Sequence, residues 1–176
     1  MESKMKNKIL AVFVVIFSFI LQTTVCRYIA FGNVGPNLLI ISTASFGFMM
    51  GQKAGITVGF FIGLLADIFS GGILGFHALL YMYIGYFNGF FKRLFFKDDL
   101  MLQILLVGCS DFVYSITYYL LMFLLRGKFH IGYYLMNIII PEVVYTILLT
   151  IVLFSVMAFI NRVAEKRANR SSEEIV

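Results

Sequence analysis

The chain has 176 residues, of which 61% are hydrophobic and only 13% charged, with a mean hydropathy of +0.94. A soluble domain averages roughly 45–50% apolar and about 25% charged, and a chain this short has too little interior to hide the excess, so a soluble enzyme core is excluded and lipid is the solvent for much of it. The same figures exclude disorder, the two cysteines (Cys26 and Cys109) exclude a disulfide framework, and the net charge of +5 would indicate nucleic acid only if it clustered on a water-facing surface.

A helix crosses a hydrocarbon core of about 30 Å with about 20 apolar residues. Charge-free runs occupy residues 9–26, 37–52, 54–66 and 73–91, and the runs 100–125 and 131–160 carry one charge each, Asp111 and Glu142. The first run follows Lys4, Lys6 and Lys8 and is read as a retained span rather than a signal peptide, because no small-x-small site comes after it. The stretch 37–66 is too long for one span and short for two, and charge decides between them. With six spans, eleven of the fourteen Lys and Arg residues fall on the inner side and only Arg27, Arg126 and Lys128 on the outer. With five, the groups around Lys92 and Arg162 reach the cytoplasm only by putting Lys4 to Lys8 outside. The expectation is an all-α polytopic membrane protein with six transmembrane helices and both ends in the cytoplasm. Residues 1–160 would form one transmembrane domain and residues 161–176 a basic cytoplasmic tail that attracts anionic lipid. Tyr28, Phe129, Tyr133 and Tyr134 would mark the outer interface, and Phe91, Phe95 and Phe96 the inner one.

Gly47, Gly51, Gly55, Gly59 and Gly63 recur at a spacing of four, continued by Asp67, Gly71 and Gly75, and Gly85 and Gly89 repeat the spacing on the fourth span. Small residues so placed let two backbones approach closely in lipid. Gly55, Gly59, Gly63, Gly85 and Gly89 therefore serve either the internal packing of the bundle or a groove for a partner's transmembrane helix. Asp67 should end the third span at an outer turn, with the Ser70 hydroxyl and the neighbouring glycine N–H groups as its donors.

Ionisable groups in hydrocarbon are costly and each needs an account. Asp111 lies mid-span, and Tyr114, Ser115 and Tyr118 share its helix face. His77, Tyr81, Gly85 and Asn88 form a matching stripe on the fourth span, so the two stripes should face each other or a wet cavity. No Lys or Arg lies at that depth, so Asp111 is either protonated or held by hydroxyl and amide donors, as interhelical glue or as a proton relay. Pro141 removes an N–H and frees the carbonyl of Asn137, so a kink is expected beside Glu142. Two carboxylates at the outer end, Asp67 and Glu142, do not make a metal cage. No P-loop, H-E-x-x-H or nucleophile spacing occurs, so no catalytic residue, metal or cofactor is expected, and an intramembrane enzyme would rest on the three carboxylates alone.

Three segments together carry a family resemblance: Gly35-Pro36-Asn37 with the apolar run after it, Gly63-Leu64-Leu65-Ala66-Asp67-Ile68-Phe69-Ser70-Gly71-Gly72 continuing through His77 to Gly89, and Pro141-Glu142-Val143-Val144-Tyr145. In these motifs, in length and in span order the chain resembles the rod shape-determining MreD family. Where that family often has Asn after the last-span tyrosine, this chain has Thr146. The resemblance implies a non-enzymatic component of the cell-elongation machinery in the cytoplasmic membrane. It implies direct binding of MreC, and through it links to the MreB filament and to RodA with its penicillin-binding partner. Membrane lipids are expected around it, self-association is left open, and no nucleic acid is expected. The family's fold is similar to that of the substrate-binding component of energy-coupling-factor vitamin transporters. That similarity supplies the alternative, in which Asp111, Tyr114, Tyr118, His77 and Asn88 line a ligand cavity.

Overall fold

A computed structural model describes residues 2–30, 34–71, 73–92, 100–124 and 131–155. The expected tail at 161–176 and the positions Gly72, Arg93, Phe95, Phe96, Lys97, Arg126, Lys128 and Phe129 lie outside them. Among the described residues every regular element is helical: α1 (Glu2–Ile29), α2 (Leu38–Met50), α3 (Gln52–Ser70), α4 (Phe76–Phe91), α5 (Leu100–Leu124) and α6 (Ile131–Tyr134). From α6 the chain passes through a π-helical turn, Leu135–Ile139, and continues as helix to residue 155. Gln52–Ser70, Leu100–Leu121 and Gly132–Ser155 are long and apolar enough to cross a membrane.

The stretch 37–66 divides at a single residue. Gly51 takes φ +97°, donates its N–H to Gly47 O at 2.7 Å and accepts from Gly55 N at 3.0 Å, so α2 ends and α3 begins with no loop between them. A side chain is strained in that left-handed region, and glycine is not. Lys92 packs against Gly51, which puts it beside the α2–α3 turn that also holds Lys53.

Glycine packing holds the centre. A Cβ at Gly55 would lie 2.3 Å from Gly85 O and 2.8 Å from the Cα of Gly47, so α2, α3 and α4 meet backbone to backbone at this triad. The α3–α4 seam continues through Gly59 against Tyr81, Gly63 against Ala78 and Gly89 against Gln52. The groove expected for a partner helix is thus filled by α4 of the same chain, and Gly55, Gly59, Gly63, Gly85 and Gly89 are internal packing residues. Around them Ile40, Val58, Ile62, Ala44, Phe48 and Val107 are buried. α1 packs on α2 and α3 through Ser18 Oγ and Ser42 Oγ, 2.6 Å apart, and through Phe19 on Phe69. Large apolar side chains instead cover the outside: Phe13 is 62% exposed, Phe87 61% and Leu105 59%. Such a surface is stable against lipid and not against water.

With 13 residues, α2 spans only about 20 Å of the roughly 30 Å core. Just before this helix, Pro36 and Asn37 are buried and their polar groups are paired. Gln22 Nε2 donates to Pro36 O at 3.2 Å, Gln22 Oε1 accepts from Leu38 N at 2.7 Å, and Asn37 N donates to Thr146 Oγ1 at 3.0 Å. Asn37 Oδ1 caps α2 by accepting from Ile40 N at 3.3 Å. Irregular backbone at membrane depth is tolerated only where its groups are satisfied in this way.

Candidate functional site

The polar residues gather at the end of the bundle where α3 hands over to α4. Gly71 (φ +66°) and Gly75 (φ +93°) let the chain reverse there, and nothing lies within 4 Å of a Cβ at either, so backbone conformation alone demands glycine. The reversal aims the N-terminus of α4 at Asp67, which is 1% exposed. Gly75 N and Ala78 N donate to Asp67 Oδ2 at 2.9 and 3.2 Å, and His77 N donates to Oδ1 at 3.0 Å. His77 Nδ1 donates to the same Oδ1 at 2.7 Å. Gly75, the N-cap residue of α4, has no side chain to cap with, so a carboxylate from α3 takes over the capping and meets the positive end of the helix dipole. Sequence reasoning put the donors to the Asp67 carboxylate on Ser70 and the glycines directly after it, whereas the glycine donor is Gly75, at the start of α4. The Ser70 hydroxyl turns instead to the backbone carbonyl of Asp67, at 3.5 Å.

His77, held by Asp67, starts a column of rings along the interface of α4 and α5. Its ring lies 5.4 Å from Tyr118 and 6.4 Å from Tyr114, and Tyr114 stacks on Tyr81 at 5.1 Å and 12°. The two polar stripes therefore meet at this end. Gly85 leaves its stripe, since it faces α3. Asn88 sits farther along α4, donating to Ile84 O and to Ser110 Oγ, each at 2.8 Å.

The last helix closes the site. Its π-helical turn, in which Ile140 N donates to Leu135 O, ends at Ile139, two residues before Pro141, and Asn137 Nδ2 donates to Tyr133 O at 2.9 Å. The expected kink is thus a widened turn upstream of the proline, where the missing N–H disturbs the helix ladder. It brings Glu142 Oε2 within 3.2 Å of the Ser115 hydroxyl, which donates to it. Pro141 and Tyr145 are half-buried on this helix. A cavity of about 370 Å³ opens among Asn37, His77, Tyr114, Ser115, Tyr118 and Glu142, with Tyr119 and Tyr134 completing its wall.

Asp111 is fully buried one turn from Tyr114 and Ser115. Among the described residues the Thr146 hydroxyl is the one donor placed toward it, and Glu142 lies nearby. Sequence reasoning missed Asn37 and Thr146 as members of the cluster. Asn37 carries a readable signal, an Asn directly after Pro36 and before an apolar run, which is an N-cap pattern. Thr146 carries none, because its partner is 109 residues away. Chemically the cluster offers carboxylates, hydroxyls, amides and aromatic faces. Among the described residues no group of three or more His, Cys, Asp and Glu side chains could hold a metal ion.

A family model described as rod shape-determining protein MreD matches residues 3–163 of the 176-residue chain. No curated protein and no solved structure gives a match.

Proposed function

The chain belongs to the MreD family, whose members act in rod shape determination, and on that footing we propose that it is a six-span scaffold of the cell-elongation complex in the cytoplasmic membrane. It binds the membrane helix of MreC and helps couple the MreB filament to RodA and its penicillin-binding partner. The observation that carries this reading is the family match over residues 3–163. The molecule's design supports it, since interior helices locked by glycine packing suit a rigid support, and Lys53 and Lys92 share one end as the inner-side assignment requires. Both glycine faces are closed, so a partner helix must meet an outer surface. The crevice between α4 and α5 suits it, with a volume of about 540 Å³ and walls that include Leu80, Phe87, Leu105 and Val113. Affinity isolation in mild detergent followed by identification of partners tests the scaffold, with MreC expected as the principal partner. Leu105→Trp and Val113→Trp fill the crevice and should reduce recovery of MreC, while Ile16→Trp, in a separate apolar crevice between α1 and α3 that Val12 and Phe61 also line, should not. Undiminished recovery in both crevice variants moves the contact elsewhere, and absence of MreC from the isolate overturns the reading.

The cavity of about 370 Å³ favours one second reading, the substrate-binding component of a vitamin transporter. A thermal-shift screen against vitamins separates the two, because sub-micromolar stabilisation by one compound supports transport.

A further inference from the structure

The packing of the helices leaves two features unexplained. The first is the cavity, whose volume of about 370 Å³ lies within the roughly 300–1,000 Å³ usual for ligand sites. Four of its walls are tyrosines: Tyr119 and Tyr134 pair at 4.6 Å between ring centroids, and Tyr114 and Tyr118 at 6.0 Å. The second is a pair of buried carboxyl groups, Glu142 and Asp111, with no ion-pair partner among the described residues. Asp67 is paired with His77, the one ion pair among the described residues. Glu142, on the cavity wall, is met by the Ser115 hydroxyl and the Asn37 side chain, and Asp111 behind it has only the Thr146 hydroxyl toward it. Arg27 is exposed and lines a separate pocket that Glu142 also borders, without forming an ion pair. Buried carboxylates are costly unless a positive group or strong donors meet them.

A cation brought to Glu142 would complete this cluster, and the walls indicate which kind. Calcium or magnesium requires about six oxygen ligands in a tight shell, which aromatic walls do not supply. Tyrosine faces attract weakly hydrated organic cations through the ring quadrupole, most strongly in a desolvated site. We propose that this cavity binds an ammonium group, held between the Tyr114–Tyr118 and Tyr119–Tyr134 pairs with Glu142 as its counter-charge. The ammonium belongs either to a small solute or to a lipid head group, and the site is independent of whether MreC binds the outer surface.

The chain contains no tryptophan, and four of its ten tyrosines line the cavity, so a change in its tyrosine fluorescence that Tyr118→Leu reduces follows occupancy of the cage. The full chain in phosphatidylglycerol vesicles is titrated with choline, with ethanolamine and with 3,3-dimethylbutanol, the neutral isostere of choline. Saturable change with at least one of the two ammonium probes and none with the alcohol is expected, and Glu142→Gln should weaken the response about tenfold or more. Tyr118→Leu should weaken it too, and serves if Glu142→Gln does not fold. Replacing half the lipid by phosphatidylethanolamine identifies the source: loss of the free probe's response shows a head group in the site, and an unchanged response shows a solute site, both upholding ammonium recognition. An equal response to the neutral alcohol, no saturable response to either ammonium, or undiminished binding in the folded variants overturns the proposal.

Discussion

Replacing Gly85 by alanine places a methyl carbon 2.2 Å from Gly55 O and 2.4 Å from Gly55 C, where ordinary contact begins at 3.4 Å. Both atoms are backbone, so no side chain can swing aside and α3 and α4 must part by roughly 1 Å, a gap that forfeits about a quarter to a half of each atom pair's dispersion well. Packing is the main attraction between helices in lipid, so the loss is felt along the seam from Gly89 to Gly63. Overpacking costs about 1–3 kcal/mol, and the rigidity of this contact puts Gly85→Ala at the top, about 3 kcal/mol. Two alanine variants calibrate the effect. At Gly108 the nearest atom is the flexible tip of Ile147 at 2.9 Å, and at helical Gly132 nothing lies within 4 Å. Gly108→Ala should therefore cost about 1 kcal/mol or less, and Gly132→Ala should be neutral or stabilising by up to about 1 kcal/mol, because alanine is the better helix former. Unfolding in mixed micelles followed by far-UV circular dichroism gives the three values. If Gly85→Ala unfolds at the same point as Gly132→Ala, the backbone-to-backbone seam is not what holds the bundle.

Asp67→Ala strips four donors of their acceptor and should destabilise by about 3 kcal/mol in the same assay, with Asp67→Asn costing less because one acceptor oxygen stays. Asp111→Asn removes a buried carboxyl group whose only donor among the described residues, the Thr146 hydroxyl, can equally serve the amide oxygen, and should leave stability unchanged or raise it; a clear loss would show that the carboxyl group itself is required. Thr146→Val leaves Asn37 N–H buried without an acceptor, at a cost of about 1–3 kcal/mol, whereas Thr146→Ser should be tolerated. With the native cysteines replaced, Lys53→Cys should react with an impermeant maleimide only in inverted vesicles and Tyr28→Cys only in intact cells, and the reverse pattern would invert the six-span orientation.

Helical periodicity made the polar face of α5 legible, because residues three and four apart must share a side of the cylinder. The turn at Asp67 was legible because glycines and a carboxylate at the end of an apolar run leave few other conformations. The site's closure was not legible in the same way. Glu142 and Ser115 are 27 residues apart and Asn37 and Thr146 are 109 apart. No local pattern encodes such pairs, although the disturbance before Pro141 that presents Glu142 was legible in the proline itself.

By itself the sequence determined the solvent, the helical class, the division of residues 37–66 into two segments and the close-approach face of α3. Hydropathy, charge placement and the four-residue glycine spacing are properties of a chain before it folds. Only the tertiary structure decided which helix fills that face. A row of glycines states that a backbone will come near and carries no side chain to say whose, so α4 or a partner's helix would satisfy it equally. The packing of α4 into the groove settles the choice through contacts at Gly55, Gly59 and Gly63, and it leaves the tyrosine-walled cavity and the outer crevices as the surfaces still open to other molecules.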